Sequence, residues 1–236
     1  MTTGISRATS GTISAIVFDI GETIRDDTRE FGSWADWLGV PRHTFSALVG
    51  AIKATGGETN DVFRYFDPDF DLEAERDRRR RAGICEHFEE ADLYPDVRPA
   101  LTELKRRGFW IGIAGNQTAE AASRLRMLDL PADAIATSGE WGVAKPAREF
   151  FDFLASAIPT VRAEALYVGD QVQHDVVAAS QAGFRAALIR RGPWGRLWAD
   201  HELVLSHAMC VIDNLIDIVD VVGGGRVSSV LKRELI

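Results

Sequence analysis

Apolar runs and amphipathic segments alternate along most of this chain. Residues 13–18 form a continuous apolar stretch rich in β-branched side chains, which is typical of a strand buried on both faces. Five further runs predict strands, at 109–114, 134–137, 166–168, 185–190 and 209–212. The segments between them carry helical spacing, as in Val97, Leu101 and Leu104. Strands that alternate with helices predict an α/β fold with a doubly wound parallel sheet.

Residues 25–92 interrupt this alternation with helical patterns only. Phe31, Trp34 and Leu38 share one helical face. A second helix is expected from Pro41 to Gly56–Gly57, and a charged helix from Glu73 to Arg81 with further helix through Phe88. These patterns predict an α-helical insertion after the first strand.

The predicted division of the chain follows from this insertion. Residues 1–24 and 93–222 are expected to form the α/β core, and residues 25–92 the helical insertion. Residues 223–236 begin with three glycines and are expected to be a loosely ordered tail.

Composition and charge narrow the range of partners. With 46% hydrophobic and 26% charged residues and a formal charge of −8, the chain resembles a soluble globular protein and does not favour nucleic acid or anionic membranes. The two cysteines, Cys85 and Cys210, lie far apart without metal-ligand spacing, which suits a reducing cytoplasm. Residues 1–11 lack the apolar segment of a signal peptide. We therefore expect a cytoplasmic protein, either monomer or homodimer.

The arginine run at 78–81 has two interpretations, an anion-binding patch or a solvated helix face. Glu75 with Arg79 and Asp77 with Arg81 are i,i+4 pairs of favourable order. These pairs favour a solvated, salt-bridged face.

Polar side chains follow several of the predicted strands. Asp19 ends the first strand, Gly115–Asn116 ends the second, and Asp170 follows a later one with Asp175 five residues on. Lys145 precedes a proline and a helix. Because open α/β sheets place their chemistry at the carboxyl ends of strands, we expect these residues to converge. Carboxylates from different strands suit Mg²⁺, a lysine can neutralise a phosphoryl group, and a carboxylate can attack phosphorus.

Four motifs in this order resemble the haloacid dehalogenase (HAD) superfamily of hydrolases. They are Asp19–Thr23, Ile111–Asn116, Gly142–Pro146, and Val168–Gly169–Asp170 through Asp175 with Ala182–Gly183. The resemblance implies a Rossmann-like core, and it implies that residues 25–92 are a cap that shapes substrate access.

The same resemblance implies roles for individual residues. Asp19 is the implied nucleophile, and Mg²⁺ is held by Asp19, Asp170 and the backbone carbonyl of Gly21, with Asp175 supporting the metal directly or through water. Lys145 steadies the charge of the nucleophile and of the phosphoryl group. Gly115, Asn116 and Lys145 bind the phosphate.

Two positions depart from the family pattern. The second aspartate that protonates the leaving group in such phosphatases is replaced by Gly21, and the usual Ser or Thr before Asn116 is Gly115. General acid–base assistance is typically worth about 10²–10⁴-fold, so its loss slows an enzyme without necessarily silencing it. Glu22 or a water-bridged residue of the insertion is a candidate substitute.

The sequence predicts a Mg²⁺-dependent phosphatase of a small phosphorylated metabolite, with three alternatives. A binding or regulatory module could retain the fold and metal site without turnover. Dehalogenases and phosphonatases of the family also lack the second aspartate, and in phosphonatases a lysine of the cap forms a Schiff base. Lys53 is the only lysine in residues 25–92, and we expect it at the surface. We expect His174 in a solvated loop.

Overall fold

The computed structural model describes residues 12–223 and contains a six-stranded sheet flanked by helices. All pairings within the sheet are parallel, in the order β3-β2-β1-β4-β5-β6. The strands are β1 (Ala15–Phe18), β2 (Trp110–Gly115), β3 (Ala134–Thr137), β4 (Ala165–Gly169), β5 (Arg185–Ile189) and β6 (Cys210–Ile212). The α/β, doubly wound fold predicted from the sequence is confirmed.

Helices cover both faces of the sheet and build two separate apolar layers. The α-helices are α1 (Thr28–Leu38), α2 (Arg42–Ala54), α3 (Leu72–Arg81), α4 (Val97–Arg106), α5 (Ala119–Met127), α6 (Ser138–Trp141), α7 (Arg148–Ala157), α8 (Ala178–Gln181), α9 (Gly192–Leu197), α10 (Glu202–His207) and α11 (Ile216–Val222). Side chains of β1 alternate between the layers: Ile16 and Phe18 pack in one, Ala15 and Val17 in the other. This strand is therefore buried on both faces, as its apolar run predicts.

Helices α1 to α3 have an apolar cluster of their own. Trp34, Phe45 and Phe63 lie at its centre, with Trp34 edge-on to Phe63 at a centroid distance of 4.8 Å. Aromatic packing of this kind stabilises a small helical unit that does not share the core of the sheet. Two short 3₁₀ segments, Thr59–Tyr65 and Glu90–Asp92, complete the segment between β1 and α4.

The two chain segments that lead into and out of this helical unit pair with each other. Asp26 donates its backbone N–H to the carbonyl of Asp92 at 2.8 Å, and Tyr94 donates to Ile24 at 3.1 Å. Arg25 and Leu93 form an antiparallel bridge between them. The helical unit thus begins and ends beside Asp19, at the carboxyl edge of the sheet.

Three local expectations are wrong. Residues 82–88 are not helical, because the chain turns at Gly83, which has a φ of 76°. The i,i+4 pairs in α3 do not form; Glu75 pairs with Arg78 and Asp77 with Arg80, both at 2.5 Å. Arg79 is instead buried, with its guanidinium carbon 3.8 Å from the ring centroid of Trp34.

The extent of the described residues bounds several predictions. Residues 224–236, and with them almost all of the predicted tail, lie outside the described residues, as does the N-terminal segment 1–11. None of the helices in residues 12–223 has the length and apolar character that crossing a bilayer requires.

Candidate active site

Asp19 is the first residue beyond β1, at the carboxyl edge of the sheet. Its backbone N–H donates to the carbonyl of Val168 in β4 at 2.8 Å, so the chain remains anchored to the sheet at this residue. The carboxylate leans toward β2, where a Cβ built on Gly115 would collide with Asp19 Oδ1. This orientation of Asp19 therefore requires the absence of a side chain at position 115.

Lys145 lies between two carboxylates that come from different parts of the chain. Its Nζ donates to Asp19 Oδ1 at 2.6 Å and to Asp175 Oδ1 at 2.5 Å, and its side chain is only 3% exposed. A buried ammonium that bridges two carboxylates forms charge-assisted hydrogen bonds, which are stronger than neutral ones.

The Asn116 carboxamide holds the main chain of Lys145 at both ends. Its Oδ1 accepts the Lys145 backbone N–H at 2.8 Å, and its Nδ2 donates to the Lys145 carbonyl at 2.9 Å. Asn116 thus positions the residue that carries the ammonium. The sequence did not predict this contact, because it joins two residues far apart in the chain.

Asp170 and Asp175 complete a buried acidic cluster with Asp19. Asp170 follows β4, and Asp175 lies in a π-helical segment, Val172–Val177, where its Oδ2 accepts the backbone N–H of Gln171 at 2.8 Å. One carboxylate oxygen from each of the three aspartates lies within 4.8 Å of the others. Asp170 Oδ2 is buried and has no hydrogen-bond partner within residues 12–223.

The donor set of this cluster fits a divalent cation. Mg²⁺ prefers oxygen ligands and binds through one or two carboxylates while it keeps water or substrate oxygens. A buried polar atom without a partner is costly, and coordination would satisfy Asp170 Oδ2. The three aspartates could therefore hold a metal ion.

Burial and neighbouring charges together shift the pKa values of these groups. It raises the pKa of Asp19 to about 6 against the opposing effect of Lys145. Burial, followed by the charge of Asp175, raises the pKa of Asp170 well above its usual range. Burial alone would lower the pKa of Lys145, but Asp175 and Asp19 raise it well above its ordinary value. Lys145 is therefore a fixed positive charge at neutral pH.

A cavity of about 260 Å³ opens above these residues, and residues of the helical unit line its other side. Its wall combines Asp19, Gly21 and Lys145 from the sheet edge with Phe31 and Lys53 from α1 and α2. Its volume lies just below the range of about 300–1,000 Å³ that is typical of small-molecule pockets. Carboxylates outnumber cationic side chains around it, so an anionic ligand depends on the few positive charges present.

Two side chains expected in solvent lie in this cavity wall. Lys53 is 3% exposed, with its Nζ 5.8 Å from the ring centroid of Phe31 and 5.6 Å from that of Trp194. The expectation of a surface lysine is wrong, because α2 turns Lys53 toward the sheet edge. His174 is also wrongly placed in a solvated loop: its side chain is 15% exposed, and its Nε2 lies 3.3 Å from Glu58 Oε1.

The carboxylate of Glu22 is hydrogen-bonded to Tyr94. Its backbone has a φ of 53°, and Tyr94 donates its hydroxyl to Glu22 Oε2 at 2.6 Å. Burial and the nearby charge of Asp27 raise the pKa of Glu22 to about 7. Arg191 extends this contact, since its guanidinium carbon lies 4.3 Å from the ring centroid of Tyr94 and it donates to the carbonyl of Thr23.

The structure thus brings the four charged candidates together: Asp19, Lys145, Asp170 and Asp175 surround one point. Gly21 and Asn116 line the same cavity, and Gly115 lies directly against Asp19. Sequence reasoning missed Asp27, which also lines the cavity and which no motif marks.

The chain is similar to known hydrolases in sequence. A family model described as haloacid dehalogenase-like hydrolase matches residues 13–183. The chain is 30% identical over 172 residues to a phosphoserine phosphatase of Thermus thermophilus, and the alignment covers 69% of each protein. It is 32% identical over 105 residues to a ribulose-1,5-bisphosphate 5-phosphatase of Halopiger xanaduensis, covering 43% of this chain and 44% of the relative. The chain spans about half the length of the first curated relatives it matches.

A solved structure shares the fold over nearly its whole length. It is a predicted phosphoglycolate phosphatase from Haemophilus somnus, with a TM-score of 0.63, 18% sequence identity, and coverage of 89% of this chain and 97% of that one. At this level of identity the likeness concerns the fold alone.

Proposed function

Because the chain belongs to the haloacid dehalogenase-like hydrolases, we propose that it is a Mg²⁺-dependent phosphatase that forms an aspartyl-phosphate on Asp19. The substrate is a small phosphorylated metabolite, in keeping with a cavity of about 260 Å³ and with the phosphatase names of its relatives. The observation that carries the proposal is the position of Lys145 Nζ, 2.6 Å from Asp19 and 2.5 Å from Asp175, beside Asp170.

In the first step, a carboxylate oxygen of Asp19 attacks the phosphorus of the ester, and the bond from phosphorus to the leaving oxygen breaks. The Lys145 ammonium orients Asp19 and offsets negative charge on the phosphoryl group. Water then attacks phosphorus, which releases phosphate and restores the Asp19 carboxylate.

The metal would be held by Asp19, Asp170 and the Gly21 carbonyl, with Asp175 in support. Mg²⁺ in such a site supplies Lewis-acid stabilisation of the phosphoryl oxygens. Gly115 has no side chain and so leaves room for Asp19. In this proposal the backbone at 115–116 contacts the phosphate.

The acidic cluster favours phosphatase over dehalogenase chemistry. Attack on carbon requires the nucleophile alone, whereas two further buried aspartates, one with an unpartnered oxygen, suit a cation. Phosphonatase chemistry would require Lys53 to form a Schiff base, and its Nζ lies near the rings of Phe31 and Trp194, at 5.8 and 5.6 Å from their centroids. Within residues 12–223 it forms no ion pair with the three aspartates of the cluster.

Phosphate release from a panel of phosphomonoesters tests the proposal. We expect turnover with Mg²⁺, none after removal of divalent ions, and a loss of at least ~10³-fold in Asp19→Asn, because an amide is not a nucleophile. Activity that persists without Mg²⁺ or without the Asp19 carboxylate would refute it. Asp19-dependent binding of a phosphate mimic without turnover of any ester would support the binding-module alternative.

A further inference from the structure

The space above Gly21 is filled by a carboxylate from the start of the helical unit. A Cβ built on Gly21 would lie 2.9 Å from Asp27 Oδ2. Both residues line the cavity that contains Asp19 and Lys145. Residue 21 is two positions after Asp19 in the chain. The Asp27 carboxylate therefore occupies the space into which a side chain at residue 21 would point.

Local contacts hold Asp27 in this orientation. Its Oδ1 accepts from Arg25 Nε at 2.6 Å, and Arg25 is itself buried with its guanidinium carbon 4.3 Å from the ring centroid of Phe88. The Asp27 carbonyl accepts the backbone N–H of Phe31 and so joins the residue to the first turn of α1. Oδ2 has no hydrogen bond within residues 12–223, and the Asp27 side chain is 13% exposed. One oxygen is thus fixed, and the other is available to a ligand in the cavity.

Other carboxylates of the cavity have different partners. Asp175 is bonded to Lys145 and to the Gln171 N–H. Glu22 is bonded to Tyr94, and Glu86 accepts the Thr118 hydroxyl at 2.7 Å. Among these groups, Asp27 combines proximity to residue 21 with an oxygen that has no hydrogen bond within residues 12–223.

We propose that Asp27 is the general acid and base of the reaction at Asp19. The inference rests on the proposed function. As Asp19 attacks phosphorus, the Asp27 carboxylic acid gives its proton to the leaving oxygen, and the alcohol departs. The Asp27 carboxylate then takes a proton from water as the water oxygen attacks phosphorus and the bond to Asp19 breaks. Phosphate leaves, and Asp27 is again protonated.

The dependence of Asp27→Asn on the leaving group tests this role. Alkyl phosphates need a proton at the leaving oxygen, whereas nitrophenyl phosphate expels a weak base unaided. We expect kcat/KM to fall by about 10²–10⁴-fold for an alkyl phosphate and to change little for nitrophenyl phosphate. Because the second step still needs a base, nitrophenyl phosphate should give a burst of nitrophenolate followed by slow turnover. If Asp27 had only a structural role, its replacement would lower kcat/KM equally for both substrates and give no burst.

Two further variants act as controls. Asp26→Asn removes a neighbouring carboxylate that caps the Thr28 N–H at 2.8 Å and does not line the cavity, so its kinetics should match wild type. The double variant Gly21→Asp with Asp27→Gly returns a carboxylate to residue 21 in the space that Asp27 vacates. It should recover alkyl phosphate turnover relative to Asp27→Gly alone.

Each outcome distinguishes the two claims. An Asp27→Asn enzyme with unchanged kinetics, or with equal losses for both substrates, would overturn the role of Asp27 while leaving the phosphatase intact. Failure of the double variant to exceed Asp27→Gly would also count against it. A wild-type enzyme whose turnover does not depend on Asp19 would instead overturn the proposed function.

Discussion

Lys145 has hydrogen-bond partners at its main chain and at its ammonium, which explains how this lysine can be buried among carboxylates. Asn116 fixes its main chain, while Asp19 and Asp175 accept from its ammonium. A buried charge is tolerated only when it is paired and hydrogen-bonded. The same pairing prevents Asp19 and Asp175 from repelling each other without compensation.

Replacement of Lys145 by methionine should affect both catalysis and stability. We expect kcat to fall by about 10²–10³-fold, because preorganised positive charge at the phosphoryl group is lost. We expect the free energy of unfolding to fall by about 3–5 kcal/mol at neutral pH without Mg²⁺, because two carboxylates stay buried without their cation. Steady-state kinetics and denaturant unfolding measure the two effects. An unchanged kcat would contradict the role given to Lys145.

At this scale, the sequence identified residues whose position follows from a strand. Asp19 and Asp170 come directly after buried strands, so the parallel sheet alone brings them to one edge. Asp27 and Lys53 belong to the helical unit, and their inward orientation depends on how that unit packs against the sheet. No local pattern encodes such packing, which is why Lys53 was expected at the surface.

Among the elements, α2 contributes one of the cationic side chains that the helical unit adds to the cavity wall. Lys53 reaches the cavity because Phe45, Val49 and Ile52 bury the apolar face of α2 in the cluster with Trp34. Its Nζ faces the rings of Phe31 and Trp194, one from each side of the cavity. The helical unit therefore supplies positive charge to a predominantly acidic wall.

Substitution of Lys53 by methionine should weaken substrate binding more than turnover. An anionic substrate loses an attractive charge, so we expect KM to rise about tenfold, equivalent to about 1.4 kcal/mol, with a smaller change in kcat. Lys105→Met is the matched control, since Lys105 pairs with Asp133 at 2.7 Å outside the cavity wall. A KM equal to that of wild type would show that Lys53 does not contact the substrate.

Two predictions around α3 are wrong, one because of a local turn and one because of a tertiary contact. The helical stripe of α1 and the charged helix α3 were predicted from their spacing, and both are present. Residues 82–88 do not form the expected helix, because α3 ends just before Gly83, which has a positive φ. Arg79 does not pair with Glu75, because its guanidinium stacks on the ring of Trp34 and is buried there.

In the whole molecule, the sheet brings the candidate catalytic residues to one edge, and the helical unit lines the other side of the cavity above them. The order β3-β2-β1-β4-β5-β6 brings β1 and β4 side by side, so that Asp19 and Asp170 meet where the strand order reverses. The paired segments around Arg25 and Leu93 connect the helical unit at the same edge. Alternation of strands and helices was enough to predict the sheet, whereas the boundaries 25–92 and the role of this segment as a cap stay predictions.

The central claim is that Asp19 is phosphorylated during turnover, and reductive trapping tests it most directly. Wild-type protein is mixed with Mg²⁺ and a phosphomonoester that it hydrolyses, then treated with borohydride, which reduces an acyl phosphate to an alcohol. Peptide mass spectrometry should find homoserine at position 19, only with substrate and not in Asp19→Asn. Continued turnover with no reduction at Asp19, or with reduction at another aspartate, would contradict the account.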